Sequence, residues 1–275
     1  MKIVLIGAGG KMGQRLTRNL CKTDLDVEYI ELSESGRAVL KEEFGVIANK
    51  ESNSISEADY VILAVPDKLL DKVGNSVIPS MKEGATIFVL DPAVAFANKL
   101  NIREKINIFI SHPCHPPVIN DETTLEAKKD FFGGRYAKQS IVNCLYSGDE
   151  SVYADAESIA KIMYGPILRS HRVTVDQFTM LEPGLVETIC STFLTSVKEA
   201  SDVLVKRGVD PQCVHDFLMG HIHIQIAVIF GYLNIRFSDA ANKAIEEARS
   251  QLLKDDWMRV LEKEEIAKTV DKIIS

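Results

Sequence analysis

Short apolar runs alternate with stretches of helical periodicity through the first half of the chain. Lys2-Ile3-Val4-Leu5-Ile6 is the first run, and Leu16, Leu20 and Cys21 recur after it at helical spacing. Val27 to Glu31 reads as a second strand, Arg37 to Phe44 as a helix and Val46 to Ala48 as a short strand. Tyr60 to Pro66 is almost continuously apolar, which suits a parallel strand covered on both faces. Asp67 is placed to open a helix that runs to about Ser76. Ala85 to Leu90 and Ile106 to Ser111 are further strands, ending in Asp91-Pro92 and His112-Pro113. Ser140 to Leu145 and Gly165 to His171 flank a helix near 151–163 and extend the same sheet. Alternation of this kind predicts an α/β fold, a Rossmann-like doubly wound parallel sheet with right-handed crossovers. In such sheets a ligand binds outside the carboxyl ends of the strands.

From Thr174 onward the period changes, and no strand pattern follows. Thr174 and Gln177 have the spacing of a capping box, and Pro183-Gly184 predicts a kink near Glu182. Asp210-Pro211 opens a helix that runs to about Tyr232 and is apolar nearly all round, a pattern that means burial in a core or against another subunit. Ser238 can cap a further helix, and a charged amphipathic helix follows Glu262. The division expected is a dinucleotide-binding domain over 1–172 and an all-helical substrate and dimerisation domain over 173–275, with a homodimer as the assembly.

Composition narrows the class. Hydrophobic residues are 46% of the 275 and charged residues 26%, enough for a substantial core in a soluble protein. A net charge of -7 without a basic block argues against nucleic acid as a partner. No apolar run is long enough for a membrane span, and the N-terminus lacks the features of a signal peptide. The five cysteines are scattered without C-x-x-C spacing, which fits reduced thiols and a cytoplasmic location.

The chemistry concentrates in two places. Gly7-Ala8-Gly9-Gly10-Lys11-Met12-Gly13 joins the first strand to the first helix, where glycines admit a pyrophosphate and helix amides attract it. The spacing does not fit G-x-G-x-x-G cleanly, because a start at Gly7 puts Met12 at the third glycine. Glu31 closes the second strand, where a carboxylate accepts ribose hydroxyls and repels a ribose phosphate, so NAD is expected rather than NADP. Gly7, Gly10, Lys11, Met12, Gly13, Glu31, Pro66 and Asp67 are the expected cofactor contacts.

The second place is Ser111-His112-Pro113-Cys114-His115-Pro116-Pro117, two histidines in a proline-stiffened loop at a strand's carboxyl end. A neutral imidazole there can take a hydroxyl proton while hydride leaves the same carbon. Two alternatives are that one imidazole binds a metal or that it only orders the loop. Glu187, beyond the expected kink, is followed by a mostly uncharged stretch that hints at burial. A buried carboxylate needs a partner, such as a metal ion or a substrate hydroxyl. His221 lies in an apolar stripe with Val214, Phe217 and Gln225, where a core histidine and a site residue are both consistent.

Gly9-Gly10-Lys11-Met12-Gly13 resembles the G-G-x-M-G of prephenate dehydrogenases, and Ser111-His112-Pro113 resembles their H-P motif, whose histidine contacts the reacting hydroxyl. Both place the chain near the prephenate and 6-phosphogluconate dehydrogenase superfamily. One departure is that relatives acting on 3-hydroxy acids carry a lysine early on the interdomain helix. Here the only lysine between Thr174 and Ala200 is Lys198. A closer resemblance is to the D-apionate oxidoisomerase family. It is carried by the His112 loop with Asn120-Asp121-Glu122-Thr123, Phe132-Gly133-Gly134, Arg169-Ser170-His171-Arg172 and Leu181-Glu182-Pro183. That resemblance implies NAD-dependent oxidation of a branched sugar acid coupled to an α-ketol rearrangement, with 3-oxo-isoapionate as product. It implies His112 as acid/base and Glu187 as a further catalytic residue. By analogy with ketol-acid reductoisomerase, it also implies a divalent ion (Mg²⁺, Ca²⁺ or Zn²⁺) on His115, Glu187 and His221. Simple dehydrogenation of another hydroxy acid and non-catalytic dinucleotide sensing are the alternatives.

Overall fold

The computed structural model describes residues 1–275. The sheet is built from β1 (Lys2–Ile6), β2 (Asp26–Ile30), β3 (Tyr60–Leu63), β4 (Thr86–Val89), β5 (Asn107–Pro113), β6 (Gln139–Ser147) and β7 (Ile167–Arg172). Its order is β2-β1-β3-β4-β5-β6-β7. The order reverses between β1 and β3, which sets a ligand crevice at the carboxyl end of β1. β1 to β5 are mutually parallel, whereas β6 runs antiparallel to β5 and β7 parallel to β6. The wholly parallel sheet expected is therefore a mostly parallel one. A return without a crossover helix suffices to turn β6, since the link from β5 carries only the short α5 (Leu125–Lys128), after α4 (Ala93–Phe96) earlier in the chain.

The helices α1 (Lys11–Leu20), α2 (Glu34–Phe44), α3 (Asp67–Val77) and α6 (Tyr153–Tyr164) cover the sheet. One core joins Val4, Val61, Leu63, Ile87 and Ile108 with Leu70 and Val77 of α3. The other joins Ile3, Leu5, Ile62, Phe88 and Phe109 with Leu16 and Leu20 of α1 and Ala160 and Met163 of α6. Alternate residues of each central strand thus serve opposite layers. The expected strand Val46–Ala48 does not form. Gly45 ends α2 in the left-handed region, Val46 turns into the core, and only Asn49 bridges to Ile30.

The chain divides into two compact units, Met1–Glu182 with Ala267–Ser275, and Pro183–Ile266. The division lies later than the one expected after residue 172. Phe178 of α7 (Val175–Thr179) is buried in the first unit's core, which holds that helix there. The capping box forms as expected: Gln177 N donates to Thr174 Oγ1 at 3.2 Å, and Thr174 N donates to Gln177 Oε1 at 2.9 Å. The wide-turned stretch Met180–Cys190 breaks at Glu182, with φ −133° and ψ 111°, just before Pro183. α11 (Lys263–Ile273) begins in the second unit and ends in the first, where Val270 and Ile274 are buried.

The second unit holds α8 (Ser191–Lys206), α9 (Pro211–Ile229) and α10 (Asp239–Leu252). Only Ser201, Val214 and Ala227 of these three helices are buried. The all-round apolarity of α9 is therefore not matched by burial within one chain, since Phe217 is 68% and Ile229 64% exposed. No helix is long and apolar enough to cross a membrane.

Candidate active site

The glycine turn lies at the crevice that the strand order creates. Gly7 has φ +81°, and a Cβ on Gly13 would stand 2.1 Å from Gly7 O. Gly13 thus takes the part of the motif's third glycine, the one that lets α1 pack closely on β1. The pattern is one residue longer than G-x-G-x-x-G, and this resolves the poor fit of the spacing. Gly10 differs: its φ is −70°, and a Cβ there would meet nothing closer than 3.4 Å. The fold does not require glycine at position 10, so the bare backbone there suits the close approach of a ligand. No side chain caps α1. Its first amides, those of Lys11, Met12 and Gly13, form an anion-binding end.

Glu31 follows β2 beside this turn. Its Oε2 accepts from Gly9 N at 2.9 Å, and its Oε1 accepts from Ser33 N at 2.8 Å and Ser33 Oγ at 2.7 Å. The carboxylate is thereby fixed, and Oε2 keeps lone-pair capacity for a ribose hydroxyl. Pro66 is the N-cap of α3 and Asp67 its first residue, and burial raises the Asp67 carboxyl above its usual range. These residues fit NAD: a cradle at Gly10, a free helix N-terminus and a fixed carboxylate at the second strand.

His112 is the penultimate residue of β5. Its Nδ1 lies 2.6 Å from Leu90 O, just beyond β4. Burial pushes its pKa down to about 4, with smaller contributions from His115 and Arg15. The ring is therefore neutral at pH 7. A carbonyl can only accept, so Nδ1 carries the proton and Nε2 presents a lone pair. The neighbouring strand segment is fixed by a buried relay. Ser111 Oγ donates to Asn143 Oδ1 at 2.6 Å, Asn143 Nδ2 to Ser170 Oγ at 2.8 Å, and Ser170 Oγ to Glu157 Oε1 at 2.6 Å. Tyr164 donates its hydroxyl proton to Ser111 O at 2.9 Å.

His115 adopts φ 61°, and its Nδ1 lies 2.9 Å from Phe132 O. Burial lowers its pKa first, and Arg15 and Lys11 lower it further. It is a second neutral imidazole with Nε2 unused. The loop carrying Phe132 is held by Asp130, whose carboxylate accepts backbone protons from Gly133, Arg135, Tyr136 and Ala137.

Glu187 and His221 belong to the helical unit. Glu187 is exposed, against the expected burial, because its neighbours Leu185 and Val186 leave their own side chains exposed around it. His221 is exposed too; its Nδ1 lies 2.7 Å from Phe217 O, and its ring stacks on Phe217 at 4.1 Å. No three His, Cys, Asp or Glu side chains stand together as a metal-holding group. Of the expected set, His115 lies in the first unit, and Glu187 and His221 lie in the second.

One residue escaped the sequence reading. Arg15, on α1, is 1% exposed, and its Nη2 donates to Gln139 Oε1 at 2.5 Å. Its guanidinium carbon lies 4.3 Å from the Phe132 ring centroid. An arginine among the polar residues of α1 reads as solvent-facing, and nothing local marks it as buried.

Comparisons with known proteins identify the two regions of the chain. Residues 2–104 match the NAD binding domain of 6-phosphogluconate dehydrogenase, and residues 120–274 match the phosphogluconate dehydrogenase (decarboxylating) C-terminal family. The chain is an NAD-dependent oxidoreductase with a Rossmann domain followed by a helical region. A solved structure described as a semialdehyde dehydrogenase NAD-binding protein from Cupriavidus necator, in complex with calcium and NAD, superposes with a TM-score of 0.96. It is 47% identical, with 99% of each chain covered. The D-apionate oxidoisomerase of Cupriavidus necator is 47% identical, with 99% of both chains covered. That of Rhizobium rhizogenes is 46% identical, with 98% of both covered. With identity at this level sustained over essentially its whole length, the chain belongs to the D-apionate oxidoisomerase family.

Proposed function

We propose that the chain oxidises D-apionate with NAD and carries the product through an α-ketol rearrangement to 3-oxo-isoapionate. The observation that carries this reading is His112, a neutral imidazole whose Nδ1 is engaged by Leu90 O and whose Nε2 is a base at the carboxyl end of β5. NAD, when bound, accepts the hydride. His112 Nε2 takes the proton of the secondary hydroxyl as that hydride leaves its carbon, giving a 2-keto acid beside a tertiary alcohol. The imidazolium so formed is strongly acidic in its buried setting, and it donates to the new carbonyl oxygen and polarises it. His115 Nε2 takes the proton of the tertiary alcohol. The hydroxymethyl group then migrates with its bonding pair to the polarised carbon, and the oxygen there takes back the proton from His112. Atoms balance with one hydride given to NAD and one proton released through His115.

Gly7, Gly10, Lys11, Met12 and Gly13 are assigned to the pyrophosphate, Glu31 to the adenosine ribose, and Pro66 and Asp67 to the cofactor's flank. Glu187 is assigned to a substrate hydroxyl. The alternative course is a divalent ion (Mg²⁺, Ca²⁺ or Zn²⁺) on His115, Glu187 and His221, since each histidine engages a backbone carbonyl through Nδ1 and keeps Nε2 to ligate. No step above passes through one.

The reading is tested by incubating the protein with NAD and either D-apionate or linear aldonates, and following NADH. NADH from D-apionate alone supports it; NADH only from the linear acids favours simple dehydrogenation, and none from either removes the catalytic reading. A parallel arm with chelator addresses the ion. Unchanged turnover supports the metal-free course, and loss of turnover supports the divalent ion, Mg²⁺, Ca²⁺ or Zn²⁺, for which His115, Glu187 and His221 are the proposed ligands.

We also infer a homodimer, supported by the apolar side chains that one copy leaves open on α9 and after it, Phe217, Ile229, Phe230 and Tyr232 among them. The partner small molecule is a sugar acid, and the absence of a basic block favours no nucleic-acid role. A cytoplasmic location is consistent with the unpaired cysteines.

A further inference from the structure

Beside α1, away from the glycine turn, lies a cavity of about 590 Å³ walled by the outer face of that helix and the 126–136 segment. Lys11, Arg15, Arg18, Lys129 and Arg135 line it, against two carboxylates, Glu126 and Asp130. Asp130 is spent on the four backbone amides that hold its own loop. None of the five cations is in an ion pair. In a chain of net charge -7, this is a local reversal of sign. Arg18 and Arg135 repel each other, and that repulsion adds to burial in lowering the Arg18 pKa.

A second observation points to a ligand. Arg15 is almost wholly buried in the cavity wall against the Phe132 and Tyr164 rings, its Nε and Nη1 have no hydrogen-bond partner, and no carboxylate pairs with its charge. Its uncompensated charge adds long-range attraction for an anion in the cavity, and an anion among Arg18, Lys129 and Arg135 relieves their mutual repulsion. Phe131 and Tyr136 stand on the rim with 80% and 59% of their surfaces exposed. The volume falls within the usual range for a small-molecule pocket, about 300–1,000 Å³. The cavity shares only Lys11 with the glycine turn, and Glu31, Pro66, Asp67, His112 and His115 do not line it.

We propose that this cavity is a second, non-catalytic site for a small phosphate-bearing polyanion, held by Arg18, Lys129 and Arg135 with the buried charge of Arg15 behind them, and distinct from the dinucleotide crevice. The polyphosphate group can come from a nucleotide or from free pyrophosphate. The exposed rim aromatics offer a nucleotide base a stacking surface, and the arms of the test separate the two sources.

The experiment is calorimetry on the intact protein saturated with NAD, at constant ionic strength set by chloride. Pyrophosphate, ATP and adenosine are the probes. Binding of pyrophosphate or ATP is expected, with adenosine silent. Tighter binding of ATP than of pyrophosphate identifies the nucleotide, and equal binding identifies the free anion. The charge-reversed pair Arg18→Glu with Arg135→Glu is expected to weaken the probe at least about tenfold, the loss of one good charged contact or more. Lys72→Glu, exposed on α3, is the control and should leave it unchanged. Because Arg18 and Arg135 are not in the catalytic machinery, NAD binding by the reversed pair verifies its fold. Three outcomes overturn the proposal: no binding of either phosphate probe, binding unaffected by the reversal, or binding that appears only when NAD is withheld. The last would place the probe on the glycine turn.

Discussion

His112 carries the account at the scale of the residue, because one hydrogen bond and its burial decide both its tautomer and its charge. A depressed pKa means that the folded protein binds fewer protons than the unfolded one. His112 therefore adds stability that is complete above pH 6.5, the ordinary histidine value, and is lost as pH falls toward about 4. The same shift sets the rate profile. The acidic limb of kcat/KM is expected well below pH 6.5, and a limb at or above 6.5 would show that the base is another group. His112→Asn keeps a polar side chain without the base, and is expected to lower kcat about 10²- to 10⁴-fold while NAD still binds. At Glu31, charge is the selector. Glu31→Arg should weaken NAD by about tenfold or more and improve NADP, because a cation there repays a ribose phosphate. Unchanged NAD affinity, measured by fluorescence titration of the cofactor, would remove Glu31 from the site.

At the scale of the element, the glycine turn offers an internal contrast. Gly13→Ala forces a Cβ to 2.1 Å from Gly7 O, so the turn or α1 must shift, at a cost of order 1–3 kcal/mol. Gly10→Ala meets only ordinary contacts, so thermal stability should hold while NAD affinity falls. Equal loss of stability in both variants, read by thermal melting, would contradict the separation of a packing glycine from a ligand-facing one. Much of this element was legible in the sequence, because an apolar run, glycines and a helical stripe each have one physical reading. The core strands β3 and β4 were legible for the same reason. The reversal of β6 was not, since an apolar run carries no sign of its direction. Val46 to Ala48 misled because a short apolar run can turn into a core without pairing. Around the site, His112 and Glu31 stand at strand ends that punctuation marks, whereas the burial of Arg15 and the exposure of Glu187 depend on distant segments.

At the scale of the molecule, the two units differ in how much they cover themselves. The sheet unit closes two cores, while the helical unit leaves Phe217, Ile229 and Phe230 largely open, with Phe230 72% exposed. Each such side chain gains about 1.5–3 kcal/mol when fully buried, which is ample drive for a second copy to cover them. Light scattering should give about twice the chain's 30.5 kDa, and Ile229→Glu with Phe230→Glu should give a monomer that still binds NAD. A wild-type monomer at micromolar concentration would contradict the assembly. The central claim, oxidation with rearrangement by a protein of this family, is tested most directly by following ¹³C-labelled D-apionate through turnover with NAD by NMR. The account predicts that the labelled hydroxymethyl carbon appears bonded to the former C2, adjoining the carboxylate carbon, in step with NADH. A product that keeps the original carbon connectivity, as an unrearranged 2-keto acid, would contradict it.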